Sequence, residues 1–152
     1  MPKTFSEVYL PQWQTAHPTY EIRLWTEESL STEEPFENDA IIRDLSLNPG
    51  LRADALRLEV LQRYGGIYVD IDMACLRPID SLLAHPLDFV IGISYTRAFE
   101  VNNAFLASSP DHELLKHLVK QLGKNYQSFV DKRDKQKTLF EALASFDPSA
   151  KE

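Results

Sequence analysis

The sequence predicts an α/β fold, and three observations carry that prediction. A helix-period apolar stripe ends at a glycine pair, Gly65-Gly66. An apolar run of strand length follows it at once. Strand-like and helix-like segments then keep alternating towards the C-terminus, the pattern of helices layered on a sheet. The 152 residues, 43% apolar and 26% charged, suit one domain with a real core.

Taken in order, residues 19–25 (TYEIRLW) alternate like a half-buried strand. Thr26 is an N-cap type, and Glu27 and Glu28 suit a first helical turn. Residues 27–40 are acidic and read as a solvated helix end and loop. Asn48 can cap the next helix, with Pro49 at its first position. Ala53, Leu56, Val60 and Tyr64 then fall on one helical face, and Gly65 is a natural stop. Residues 67–73 read as a strand, 81–84 as a helical turn, 88–94 as a mostly buried strand and 103–107 as another. Pro110-Asp111 opens a helix over 112–122 that Gly123 closes. Residues 124–146 read as mainly helical, with Phe129, Leu139, Phe140 and Leu143 apolar.

Composition excludes several classes. A net charge of −7 disfavours a nucleic-acid surface. One cysteine, Cys75, excludes an internal disulfide framework and a cysteine-rich zinc site; following the strand directly, it reads as a small buried residue. No apolar run is long enough to span a membrane, and the polar, interrupted MPKTFSEVYLPQWQ lacks a signal-peptide core, so the cytoplasm is the expected location. His112 and His117 share no helical face, His17 and His85 precede prolines and read as turn residues, and Trp13 and Trp25 read as core.

The chemistry concentrates in GGIYVDID, residues 65–72. On a strand, Tyr68, Asp70 and Asp72 share one face. Paired carboxylates repel unless a cation joins them, and oxygen-only ligands suit Mg²⁺ or Mn²⁺, which fill their shell with water and phosphate oxygens. In open α/β sheets such ligands sit beyond the carboxyl ends of the strands. Asp54 and Arg57, three apart, are neighbours on the preceding helix and would otherwise form a surface ion pair of little worth. Tyr68 reads equally as a core aromatic, and Asn103 as a strand-end hydrogen-bonding residue.

Asp54-x-x-Arg57, Tyr64-Gly65-Gly66-Ile67-Tyr68, Asp70-x-Asp72 and Pro78-Ile79-Asp80 follow one another in a fixed order. This run resembles the DXD sugar-binding region of glycosyltransferases. That group includes yeast-type initiating α-mannosyltransferases, capsular polysaccharide transferases and, more distantly, clostridial glucosylating toxins. Trp13, Pro18-x-Tyr20, Leu24-Trp25 and Asn102-Asn103-Ala104-Phe105 are weaker points of likeness, which covers roughly residues 5–122.

The resemblance implies one domain over residues 1–152 with a GT-A type, Rossmann-like nucleotide-sugar-binding fold. It implies transfer of a hexose from a UDP- or GDP-sugar to a glycan or protein acceptor, with retention, as in polysaccharide biosynthesis. By position, Asp72 would ligate Mn²⁺ or Mg²⁺ most directly, and Asp70 would reach the donor and the metal's water shell, both as catalytic carboxylates. Tyr68 would lie close to the donor, Asp54 and Arg57 would meet the donor sugar, and Asn103 is a further donor-site candidate.

Enzymes of this type begin with an apolar strand carrying an Ile-Pro-Lys-Ile-Ile-His-x-x-Trp-like motif and end with a closing strand and loop. Here the chain starts at MPKTF and stops at FEALASFDPSAKE, so truncation at both ends is expected. Two rival readings stand beside the transferase. One is a degenerate domain that binds a sugar nucleotide or partner without turnover. The other is a haloacid-dehalogenase-like DxD phosphatase, whose motif wants Thr or Val where this chain has Ala74.

Overall fold

The computed structural model describes residues 3–84, 88–95 and 97–144, without the side chains of residue 129 and residues 132–144. The expected His85 turn and residues 145–146 therefore lie outside the described residues, as do the side chains of Phe129, Leu139, Phe140 and Leu143. As an α/β chain requires, helices pack against a sheet, which has three strands among the described residues. No described helix is long and apolar enough to cross a membrane.

A π-helical turn, Phe5–Tyr9, runs into α1 (Leu10–Ala16). Residues 21–26 have no regular secondary structure and join no ladder among the described residues, which corrects the strand expected at 19–25. Alternation prepares a segment for a sheet, but a strand exists only beside a hydrogen-bonding neighbour. The segment is held by side chains instead: Trp25 stacks on Tyr64 at 6.0 Å and meets Phe36 edge-on at 6.3 Å. Thr26 caps α2 (Glu27–Ser31) as expected, accepting from the Ser29 N–H at 3.1 Å while Ser29 Oγ accepts from the Thr26 N–H at 2.8 Å. The acidic stretch is less solvated than it reads, because Leu30, Phe36 and Asn38 are buried; α3 (Asp39–Ile42) follows.

α4 (Pro49–Tyr64) is the helix the sequence predicts. Asn48 Oδ1 accepts from the Gly50 N–H at 2.8 Å, and Pro49 occupies the first position. Gly65 ends the helix with φ +66°, and a Cβ there would stand 2.6 Å from Pro110 Cδ. Both the left-handed backbone and the close approach of residue 110 require glycine.

The sheet runs β1 (Gly66–Val69), β3 (Phe99–Ser108), β2 (Phe89–Tyr95), all antiparallel, with α5 (Asp80–Leu83) between β1 and β2 in sequence. The β2–β3 register jumps from Ile91↔Leu106 to Gly92↔Asn102, so residues 103–105 of β3 have no partner on β2. Such a bulge bends a strand and re-aims its side chains. Gly92 fits it: a Cβ would meet Asn102 O at 3.1 Å. Beyond the bulge β2 is not the mostly buried strand expected from its apolar run. Ile93, Tyr95, Phe99 and Val101 are 69–82% exposed, because this end of the hairpin has no described element packed over it.

α6 (Glu113–Ala144) passes through Gly123, which does not close the helix as expected. Its role is clearance: a Cβ there would stand 2.5 Å from Asn38 Oδ1. Asn38 and Glu59 form a buried polar knot beneath it. Glu59 Oε1 accepts from the Asn38 backbone N–H at 2.7 Å and from Asn38 Nδ2 at 2.8 Å, and Nδ2 also donates to Val119 O at 3.0 Å. One core cluster joins Leu30, Phe36, Ile41, Ile42, Leu56 and Val60; a second joins Leu61, Leu106 and Leu115; Tyr68 touches both.

Candidate functional site

Five of the six residues singled out in the sequence meet around Arg57, on the buried face of α4 and only 4% exposed. Its Nη2 lies 3.0 Å from Asp54 Oδ1 and 3.2 Å from Asp70 Oδ1. Its Nη1 donates to Asn103 O at 2.7 Å, and its Nε to Ala53 O at 3.3 Å. Asn103 Nδ2 donates to the same Asp54 oxygen at 2.9 Å. The guanidinium stands over the Tyr68 ring at 4.7 Å, and the Tyr68 hydroxyl donates to Asp70 Oδ1 at 2.8 Å. A buried guanidinium is costly unless it is paired and hydrogen-bonded, and here each of its three nitrogens has a partner.

The sheet delivers these groups. The Asp70 N–H still donates to Ala104 O at 2.9 Å, one residue past the end of β1. Asn103 and Ala104 lie in the β3 bulge, where Asn102 Oδ1 accepts from the Ala104 N–H at 2.8 Å. The bulge thereby turns residue 103 towards α4. Burial pushes the Tyr68 hydroxyl far above the usual phenol range; its hydrogen bond to Asp70 adds to this and the Arg57 charge opposes it. Tyr68 is thus both a core aromatic and a neighbour of the carboxylates.

Asp72 is placed differently, which corrects the expected strand over 67–73. β1 stops at Val69, and the Met73 N–H closes a turn on Asp70 O at 3.1 Å. Asp70 and Asp72 therefore straddle a turn instead of lining one strand face. Asp72 is exposed and makes no hydrogen bond or ion pair with the described residues. The early stop also explains Cys75, which is half-buried in a loop, with Sγ donating to Arg77 O at 3.4 Å, and not packed behind a strand.

Formally, Asp54, Asp70 and Asp72 bring three negative charges against the one positive charge of Arg57. No set of three or more His, Cys, Asp and Glu side chains among the described residues forms a metal cage. One or two carboxylates with the remaining positions open is nonetheless the donor set that Mg²⁺-type ions take when a phosphate completes the shell. A groove of about 380 Å³ lies elsewhere, between α1 and residues 75–78, and none of the network residues lines it.

Sequence reasoning missed a second set of contacts. Trp13, assigned to the core, is half-buried and donates its indole N–H to Met73 O at 2.9 Å. His17, assigned to a turn, is 3% exposed and accepts from the Ile79 N–H at 3.0 Å. Tyr20 donates to Asp80 Oδ1 at 3.2 Å. The signals were the Trp13, Pro18-x-Tyr20 and Pro78-Ile79-Asp80 motifs, but nothing in their spacing shows that they meet.

Compared with known proteins, residues 6–88, more than half of the chain, match the family described as glycosyltransferase sugar-binding region containing DXD motif. Mannosyl phosphorylinositol ceramide synthase SUR1 of Saccharomyces cerevisiae is 34% identical over 117 residues, 74% of this chain and 29% of that protein. Inositol phosphoceramide mannosyltransferase 2 of Schizosaccharomyces pombe is 33% identical over 121 residues, 74% of this chain and 32% of that protein. Inositol phosphoceramide mannosyltransferase 3 of the same yeast is 32% identical over 113 residues, 70% of this chain and 29% of that protein. The chain thus spans less than a third of the length of these curated relatives. No solved structure matches at a significant level.

Proposed function

Because the chain belongs to the glycosyltransferase family whose sugar-binding region contains a DXD motif, we propose that it binds a nucleotide-sugar donor and takes part in hexosyl transfer. The observation that carries this reading is the pairing of an anchored carboxylate with a free one. Asp70 is held by Arg57 and Tyr68, while Asp72 stands exposed in the adjoining turn. Asp72, supported by Asp70, would hold Mn²⁺ or Mg²⁺. The ion would neutralise charge developing on the leaving diphosphate.

The chain's own residues do the rest. Asp54, with one oxygen shared by Arg57 and Asn103, and Asp70 present fixed acceptors for donor hydroxyls. Arg57 holds both carboxylates in place through its Nη2. Tyr68 closes the site on its core side and holds its proton on Asp70. Asp54 and Asp70 are each tied to their neighbours through Oδ1, which supports same-face return over a covalent intermediate as the route to a retained configuration.

The yeast relatives are named as mannosyltransferases acting on inositol phosphoceramide. Mannose is therefore the first donor sugar to test, and a phosphoinositol lipid joins glycans and proteins as an acceptor class. The phosphatase reading fits less well, since the would-be nucleophile, Asp70, has one oxygen engaged by both Arg57 and Tyr68.

The test is release of nucleoside diphosphate from GDP-mannose and UDP-glucose, with Mn²⁺ and with chelator, by the chain and by Asp72→Asn. The reading expects Mn²⁺-dependent turnover that the substitution lowers at least about 100-fold, of the order of one lost charge-stabilising contact. Metal-dependent binding without turnover would mark a binding domain. Hydrolysis of a phosphomonoester alone would replace the transferase by the phosphatase.

A further inference from the structure

Asp72 has no hydrogen-bonding or ion-pair partner among the described residues, so its position depends on the backbone that carries it. Between β1 and α5 that backbone, residues 70–79, has no helix or strand. Beyond Asp70, which β3 and Arg57 hold, two hydrogen bonds among the described residues fix it from outside, from Trp13 of α1 and from His17 at its C-terminal cap. The Trp13 indole N–H binds the carbonyl of Met73, the residue after Asp72, at 2.9 Å. The His17 imidazole binds the Ile79 N–H at 3.0 Å, at the other end of the loop.

One ring couples the two points. His17 Nε2 accepts from Ile79, so the proton of the neutral ring sits on Nδ1. Nδ1 lies 3.2 Å from Trp13 O and donates to it. The ring also stacks on Trp13, with centroids 5.4 Å apart, and takes Tyr20 edge-on at 5.2 Å. Both nitrogens of a buried ring are thus committed, one to the helix and one to the loop.

We propose that Trp13 and His17 are positioning residues for the metal carboxylate: a clamp from α1 that holds the turn bearing Asp72 in its metal-binding arrangement. The proposal rests on the reading of Asp72 as a metal ligand. Groups that hold a ligand without touching the ion typically alter metal affinity about 10- to 100-fold when removed.

The contact also supplies a readout. Trp13 and Trp25 are the two tryptophans of the chain. Trp13 is bonded to the residue beside Asp72, whereas Trp25 packs into the core against Phe36 and Tyr64. Mn²⁺ is paramagnetic and quenches nearby indole emission, so the Trp25→Phe chain, whose emission comes from Trp13, reports the ion directly. The experiment titrates Mn²⁺ into that chain with GDP and, in a parallel arm, with UDP. It is repeated with His17→Ala and with His17→Asn, which offers both a donor and an acceptor. The expected result is saturable quenching, a midpoint raised about tenfold or more by His17→Ala, and recovery with His17→Asn. If His17→Ala fails to fold, calorimetric Mn²⁺ titration of Trp13→Phe, which keeps an aromatic ring but not the N–H, is expected to show the same weakening. An unchanged midpoint in the folded His17→Ala chain, or in Trp13→Phe where that is the variant tested, overturns the clamp and leaves the metal reading intact. Absence of Mn²⁺ binding by the unsubstituted chain in both arms overturns both.

Discussion

Asp70 and Asp72 leave the same strand two residues apart, yet they are held in opposite ways. Asp70 is fixed through its side chain, by Arg57 and Tyr68. Asp72 makes no hydrogen bond or ion pair with the described residues, and its turn is fixed through the backbone by Trp13 and His17. The difference separates two jobs within one short motif. An acid that builds a site must have its charge answered inside the protein. An acid that recruits a cation must leave its charge unanswered.

The sharpest way to break this comparison is to remove the central cation. Arg57→Met leaves Asp54 and Asp70 uncompensated, and denaturant unfolding should show a loss of about 3 kcal/mol, at the low end for a broken buried pair because both partners reach solvent. The same helix carries a second polar knot, at Glu59 and Asn38. Gly→Ala inside a helix ordinarily stabilises by about 1 kcal/mol. Gly123→Ala should instead destabilise by about 1–2 kcal/mol, since its Cβ meets a buried amide already bonded twice. Thermal melting decides the sign.

Tyr68→Phe removes one hydrogen bond to Asp70 and should cost about 1 kcal/mol. It should also remove a pH dependence. A phenol with a raised folded-state value contributes stability that is complete below the unfolded value near 10 and is lost as pH rises beyond it. Unfolding measured from pH 8 to 11 should therefore fall more gently in the variant than in the parent chain. Asp72→Asn is the smallest change of all for stability, within about 0.5 kcal/mol, because the exposed side chain bonds to none of the described residues.

What was legible in the sequence follows from the range of each interaction. Asn48, Pro49 and Gly65 bound α4 by local chemistry, and Asp54 meets Arg57 by helical spacing. Asp54, Arg57, Tyr68, Asp70 and Asn103 were gathered as candidates by their likeness to a family pattern, and the fold brings all five together. The early end of β1 was not legible, because it depends on where β3, some forty residues later, bulges and turns away. The clamp was equally hidden, since Trp13 and His17 reach partners 60 and 62 residues on. Gly123 read as a stop because its reason lies on another element, at Asn38. The β2 run read as buried because apolarity states a preference for cover and cannot show whether cover exists.

The most direct test of the division between the two acids measures affinity and stability in one sample. Mn²⁺-dependent binding of GDP-mannose and UDP-glucose is followed by calorimetry, and the melting temperature is read from the same preparation of Asp72→Asn. The account predicts an unchanged melting temperature together with loss of the metal-dependent binding. Unaltered metal-dependent binding by Asp72→Asn would contradict it.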